Sequence, residues 1–222
     1  MRWFWRNFGM IGVTGALMVF ALLAKGAIGL VRGPELYGLS PTGYAPLVAA
    51  ASQSSHPGPV QVVDYYYYGC PHCTAFEPTL EKWIANEGDA IQVRRIPVTG
   101  GRPDLEQEAA IFYALDRMGA VNRLQNAVFQ SISGLHNALD SDEKLRAWAR
   151  ANGLDADTFL AAVHSPDTMT RVRAGQAEFS SHKLVAVPTI VIGNQWVVSP
   201  DTVGSQEGMP RVMSDLVRKL NG

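Results

Sequence analysis

Both cysteines of this chain lie in one short stretch, Tyr68-Gly69-Cys70-Pro71-His72-Cys73. It follows a near-continuous apolar and aromatic run from Val60 to Tyr67, which is typical of a strand buried on both faces of a sheet. Apolar residues then recur at helical spacing, namely Phe76, Leu80, Trp83 and Ile84. The sequence therefore predicts a Cys-x-x-Cys pair at a strand-to-helix junction, with Cys70 at the N-terminus of the helix. Such a pair is typical of a disulfide that opens and closes.

The composition is that of a globular protein without a strongly charged partner. The chain has 222 residues, of which 47% are hydrophobic and 18% are charged, and its formal net charge is −1. This length allows one domain with a sizeable core, or one domain that carries an insertion. The charge gives no reason to expect nucleic acid as a partner. Two closely spaced cysteines exclude a scaffold of several disulfides.

A zinc site is the alternative use of a Cys-x-x-Cys pair. Such a site needs about four ligands. The histidines that would have to complete it are scattered without ligand spacing, at His56, His136, His164 and His182. We therefore expect no metal and no bound cofactor.

The N-terminal segment indicates export. Arg2 and Arg6 precede an uncharged apolar run from Phe8 to Ala24, so residues 1–32 are predicted to be a signal peptide or a membrane anchor. Leu22-Leu23-Ala24 is a poor cleavage site, which favours an uncleaved anchor in the inner membrane. In either case we expect the rest of the chain in a bacterial periplasm, where disulfides persist.

Strand signals occur on both sides of the middle of the chain. Residues 33–59 are rich in Gly, Pro, Ser and Ala and are predicted to be a linker, with one short edge strand within residues 44–49. Three further strands are predicted, at Ile91 to Val98, Thr189 to Ile192 and Trp196 to Val198. The last two are joined by Gly193-Asn194, a good two-residue hairpin turn.

The middle of the chain, residues 101–181, carries helical periods. Candidate N-caps for its helices are Asp104, Ser141, Asp155 and Ser165. Met209-Pro210 begins a last amphipathic helix after the strands. This order predicts an α/β domain built from residues 60–100 and 182–222, with an inserted helical domain at residues 101–181.

Two motifs connect the sequence to a known family. One is the run from Val63 to Cys73, VDYYYYGCPHC, with Phe76-Glu77 beyond it, and the other is Val187-Pro188-Thr189 followed by Gly193-Asn194. In this order they resemble the DsbA family of thiol:disulfide oxidoreductases, and the resemblance covers roughly Val60 to Leu220. It implies a thioredoxin fold with an inserted helical domain, here preceded by an N-terminal hydrophobic segment.

The resemblance also implies roles for the matching residues. Cys70 would supply the exposed nucleophilic sulfur, and Cys73 would be its buried partner. A cis peptide bond at Val187-Pro188 would face the disulfide. The neighbours Val187 and Thr189 would pair through their backbones with an extended substrate.

Four further residues are candidates to tune the pair. His72, which follows Pro71 between the cysteines, can give the first sulfur a hydrogen bond or a positive charge. Asp64 lies in the buried run and is a candidate proton acceptor for the second cysteine. Glu77 is either a surface charge or an electrostatic tuner. Together with a helix N-terminus, such neighbours lower the pKa of a cysteine.

The predicted function is disulfide formation in unfolded or reduced exported proteins, by dithiol–disulfide exchange through Cys70 and Cys73. A membrane quinone reductase of the DsbB kind would restore the disulfide, and we expect a monomer. Two alternatives stay open. The Pro71-His72 dipeptide favours oxidation. Asp64, where DsbA proteins usually have Glu, and Pro78, which is similar to the kinking proline of thioredoxins, leave room for a thiol reductase or isomerase specialised for a narrow set of exported clients. A non-catalytic adaptor that binds peptides is disfavoured by the presence of both cysteines.

Overall fold

The computed structural model describes residues 40–48, 58–135 and 138–222. The predicted signal peptide or anchor, residues 1–32, lies outside these ranges, as does most of the predicted linker, residues 33–59. Within the described ranges, no helix is both long enough and apolar enough to span a bilayer.

A five-stranded mixed sheet forms the centre of the fold. Its strands are β1 (Ala45–Pro46), β2 (Val60–Tyr66), β3 (Ile91–Pro97), β4 (Thr189–Ile192) and β5 (Trp196–Val198). Their order across the sheet is β1-β5-β4-β2-β3. β2 and β3 run parallel, and the other neighbouring strands are antiparallel. The predicted strands are confirmed, including the short edge strand before the cysteines.

β2 lies between two neighbours, which explains its continuous apolar sequence. Val62 is paired with Val93 of β3 on one side and with Ile192 of β4 on the other. Gln61 is the exposed residue of the strand, and every other residue of it is buried. A strand covered on both faces has no polar face, so the period-2 alternation of a half-exposed strand does not appear in its sequence.

The helices follow the predicted order. They are α1 (Pro71–Glu87), α2 (Pro103–Arg117), α3 (Val121–Phe129), α4 (Asp142–Ala151), α5 (Ala156–Val163), α6 (Pro166–Ser181), α7 (Pro200–Val203) and α8 (Met209–Asn221). Three predicted N-caps are confirmed, because their side chains accept backbone N–H groups of the first turn: Ser141, Asp155 and Ser165. The cap predicted at Asp104 is wrong. Pro103 already occupies the first helical position and Arg102 the N-cap, since the fixed φ of proline suits a helix start.

The cysteine pair lies where the sheet meets helices α2 to α6, which we call the helical block. One face of the sheet packs against α1 and α8, through residues such as Trp83 and Met213. The other face packs against α6, where Tyr65 contacts Phe179. Helices α2 to α6 form a further core, and Tyr66 and both cysteines belong to it. The helical block thus closes over the end of β2, and the domain boundaries predicted at residues 101 and 181 stay a prediction.

Candidate active site

Cys70 is the N-cap residue of α1. Its backbone is extended, with φ −78° and ψ 116°, and its Sγ accepts a hydrogen bond of 3.3 Å from the N–H of Cys73. Its own N–H donates to the carbonyl oxygen of Tyr67 at 3.1 Å. Pro71 occupies the start of the helix, where no N–H partner is needed. The sulfur therefore faces the unpaired N–H groups and the positive end of the helix dipole.

Both cysteines are present as thiols, and both are buried with about 3% of their surface exposed. The expectation of an exposed Cys70 is therefore wrong. The two residues share a hydrophobic cluster whose edge is formed in part by the half-buried side chains of Tyr67 and Val187. Burial raises the pKa of the Tyr67 hydroxyl, and the two cysteines, which lie close to it, raise it further.

The two thiols differ strongly in acidity. The pKa of Cys70 is lowered to about 6, and the largest cause is a hydrogen bond from the side chain of Cys73. Burial opposes this effect. The backbone amides of Cys73 and His72 and the charge of His72 lower the pKa further. Burial raises the pKa of Cys73 far above its ordinary value, and the nearby Cys70 sulfur and the Asp64 carboxylate raise it further. At neutral pH the negative charge of the pair therefore lies on Cys70.

The two residues between the cysteines are exposed. Pro71 and His72 both lie at the surface. The backbone carbonyl oxygen of His72 accepts a hydrogen bond of 2.6 Å from Nε2 of Gln206, which lies in the loop between α7 and α8. This loop therefore contacts the first turn of α1, a contact that no local sequence pattern indicated.

A buried ionic cluster lies at the other candidate residues. Arg95 on β3 contacts Glu77 Oε1 at 2.7 Å and Asp64 Oδ2 at 3.8 Å, and it also pairs with Glu81. Asp64 is 2% exposed and Glu77 is 3% exposed. The interpretation of Glu77 as a surface charge is therefore wrong. Arg95 was not among the predicted site residues. Its position was nevertheless informative, because it lies on the same face of β3 as the apolar Ile91 and Val93.

Both buried carboxyls titrate near neutral pH. Burial raises the pKa of Asp64 to about 6, and Arg95 opposes this rise. Burial likewise raises the pKa of Glu77 to about 7, again against the effect of Arg95. The charge of Asp64 also helps to raise the pKa of the buried Cys73 thiol.

The predicted cis peptide bond at Val187-Pro188 is confirmed. Val187 packs against the hydrophobic cluster that contains the cysteines. Pro188 and Thr189 are buried, and the Thr189 hydroxyl donates to the carbonyl oxygen of Ala186 at 2.8 Å. The pairing of β4 with β2 begins at Thr189, opposite Tyr65.

One further side chain reaches the site from the helical block. Glu108 of α2 accepts a hydrogen bond from the backbone N–H of Gly69. No sequence signal marked it. Among the described residues, no group of three or more His, Cys, Asp or Glu side chains is arranged to hold a metal ion.

The fold and the site together define a class of protein. The fold and site combine a sheet, a Cys-x-x-Cys helix that follows an interior strand, a cis-proline bond, and two thiols whose pKa values are shifted in opposite directions. These are the elements of a thioredoxin-like dithiol–disulfide protein.

The chain belongs to the family described as the DSBA-like thioredoxin domain, whose family model matches residues 61–207. It is 27% identical over 205 residues to the thiol:disulfide interchange protein DsbA of Burkholderia cepacia, covering 92% of this chain and 96% of that protein. It is 25% identical over 214 residues to the protein of the same name from Pseudomonas syringae pv. tomato, covering 96% and 95%. A crystal structure of Pseudomonas aeruginosa DsbA superposes with a TM-score of 0.72 at 26% identity, covering 80% of this chain and 91% of that one.

These findings confirm the predicted fold class and enzyme class. The protein is a thiol:disulfide oxidoreductase with a thioredoxin fold and a helical insertion.

Proposed function

We propose that this protein introduces disulfide bonds into exported proteins in the periplasm, through exchange between its Cys70–Cys73 disulfide and substrate thiols. The observation that carries the proposal is the acidity of Cys70, whose pKa is lowered to about 6 by hydrogen bonds at the start of α1. A thiolate that is stabilised in the reduced protein favours reduction of the disulfide, so the oxidised pair is a stronger oxidant than a pair whose thiols have ordinary pKa values. The names of the relatives support the same reaction.

The cycle begins with the disulfide form. A substrate thiolate attacks the Cys70 sulfur, the bond between Cys70 and Cys73 breaks, and Cys73 leaves as a thiolate that takes up a proton. Asp64 supplies that proton or returns it, since its pKa of about 6 allows both directions. A second substrate thiolate then attacks the mixed disulfide and releases Cys70 as a thiolate. The substrate loses two electrons and gains a disulfide, and the enzyme is left as the dithiol.

His72 and Glu77 act on different groups of the site. His72 stabilises the Cys70 thiolate through its backbone amide and its charge, both of which lower the pKa of that thiol. Pro71 begins the helix without an N–H group that would need a partner. Glu77 shares Arg95 with Asp64, and burial, together with the charge of Asp64, raises the pKa of Glu77.

We assign substrate binding to Val187, Pro188 and Thr189. Because the pairing of β4 begins at Thr189, the chain just before it offers backbone groups to an extended peptide at the edge of the site. Unfolded or reduced exported proteins suit such binding, since their chains are extended and their thiols accessible. A membrane quinone reductase of the DsbB kind would reoxidise the pair, the protein would act as a monomer, and the N-terminal apolar segment, if uncleaved, would hold it at the inner membrane.

The test is the equilibrium of the pair with glutathione, together with a pH titration of the Cys70 thiolate by its ultraviolet absorbance. We expect an oxidising pair and a thiol that ionises near pH 6. The Cys73→Ser variant should show the same acidic thiol and accumulate a mixed disulfide, and Cys70→Ser should show neither. A reducing pair with a thiol of ordinary pKa would refute the proposal and favour a specialised reductase or isomerase.

A further inference from the structure

Glu108 connects the helical block to the loop that carries the cysteines. Its Oε2 accepts a hydrogen bond of 2.9 Å from the N–H of Gly69, a residue 39 positions away in sequence and directly before Cys70. A Cβ atom on residue 69 would lie 3.0 Å from the other carboxylate oxygen, Oε1. Both oxygens therefore lie against the loop backbone, and the absence of a side chain at Gly69 permits this approach.

Burial, backbone amides and two charged residues act on this carboxylate. Burial raises the pKa of Glu108, and the amides of Gly69 and Tyr68 oppose that rise. Of the charged residues nearby on α2 and at its start, Asp104 raises the pKa of Glu108 and Arg102 lowers it. Arg102 and Asp104 form an exposed ion pair with each other, so the positive charge of Arg102 is shared.

We propose that Glu108 is a positioning residue that fixes the loop before Cys70 and destabilises the Cys70 thiolate by its negative charge. Consecutive Cα atoms are about 3.8 Å apart, so a carboxylate oxygen 2.9 Å from the Gly69 nitrogen lies at most about 11 Å from the Cys70 sulfur. Two negative groups at this separation repel each other across a partly buried site. On the loop side His72 is the opposing positive group, and it lowers the pKa of Cys70. The inference rests on the proposed role of Cys70 as the attacked sulfur.

The charge of Glu108 therefore acts on the redox equilibrium. Reduction by glutathione converts the protein disulfide and two glutathione thiols into the protein dithiol and one glutathione disulfide. The thiolate exists only in the dithiol form, so a carboxylate that repels it favours the disulfide and makes the protein a weaker oxidant. Glu108→Gln keeps an oxygen acceptor for the Gly69 N–H and removes the charge. Glu108→Ala removes both.

The experiment measures the Cys70 pKa and the glutathione equilibrium of Glu108→Gln against the unmodified protein at about pH 8. We expect the pKa to fall by about half a unit to one unit, and the equilibrium to shift about 3- to 10-fold towards the dithiol. Glu106→Gln is the matched control, since two residues along a helix turn the side chain by about 200°. Exchange of the Gly69 amide hydrogen should be faster in Glu108→Ala and unchanged in Glu108→Gln.

Two outcomes would overturn the inference. One is a Glu108→Gln protein with an unchanged pKa and equilibrium, and the other is an equal shift in Glu106→Gln. Failure of the proposed function would be seen in the unmodified protein, whose equilibrium with glutathione would then show a reducing pair. The comparison between variants would still measure the effect of Glu108 in that case.

Discussion

Arg95→Met tests the charge arrangement beside the buried thiol. Arg95 pairs with Glu77 and Asp64, which are both buried, and with Glu81, which is exposed. Methionine has a comparable unbranched side chain and no charge, so the substitution removes the cation with little change in packing. Removing one partner of a buried ion pair costs about 3–5 kcal/mol, because it leaves an uncompensated charge.

The cost should depend on pH with a definite sign. The folded-state pKa values of Asp64 and Glu77, about 6 and about 7, lie above their ordinary values of 3.8 and 4.5. Each raised carboxyl contributes stability that is fully present below about pH 4 and is lost as pH rises through 6 to 7. Arg95 limits this loss by lowering both pKa values. Arg95→Met should therefore lose about 3–5 kcal/mol near pH 8 and much less near pH 5, where both carboxyls are protonated.

The assay is urea unfolding of the reduced protein at several pH values between these limits. Arg94→Met is the matched control on the same strand. Arg94 pairs with Glu178 at 2.6 Å, but its side chain is 53% exposed, so its loss should cost less than about 1 kcal/mol. That cost should also be nearly constant from pH 5 to pH 8. An Arg95→Met protein whose loss is the same at both ends of the range would refute the reasoning.

Three further changes test neighbouring parts of the structure. Asp64→Asn should slow the exchange step at Cys73 at least about tenfold and remove the ionisation near pH 6 from the pH–rate profile, as measured by stopped-flow oxidation of a peptide. The free energy of unfolding of the reduced protein should be larger than that of the Cys70→Ser variant, and the difference should be greatest at high pH. It should disappear as pH falls through about 6, because the pKa of Cys70 is lowered in the folded state. Gly175→Ala should cost about 1–3 kcal/mol in thermal unfolding, since its Cβ would lie 2.8 Å from a methyl group of Ile96.

Local sequence patterns were sufficient for the framework of the fold. The bounds of β4 and β5 agree with the prediction, but the predicted two-residue turn is wrong, because Ile192 pairs with Trp196 and the loop between them has three residues, Gly193, Asn194 and Gln195. Ser141 and Asp155 were recognisable as caps because a cap bonds to an amide only three residues away. The cis bond before Pro188 followed from a family resemblance, since most X-Pro bonds are trans.

The environment of the cysteines could not be predicted in the same way. Arg95 meets Glu77 across 18 positions and Gly69 meets Glu108 across 39. Such contacts depend on how β3 and α2 pack, which hydrophobic periodicity does not specify. The burial of Cys70 has the same origin, since the half-buried side chains at the edge of its cluster include one from the cis-proline turn.

The acidity of Cys70 is the outcome of a competition between local and distant groups. The groups that lower its pKa belong to its own helix turn, namely the hydrogen bond from Cys73, the first amides and the charge of His72. Burial opposes them, and so, by our inference, does Glu108. The local groups prevail because they contact the sulfur directly, whereas Glu108 acts through one intervening residue. A chain can therefore keep the Cys-x-x-Cys motif, and with it the exchange chemistry, while substitutions on α2 or β3 adjust how strongly the pair oxidises.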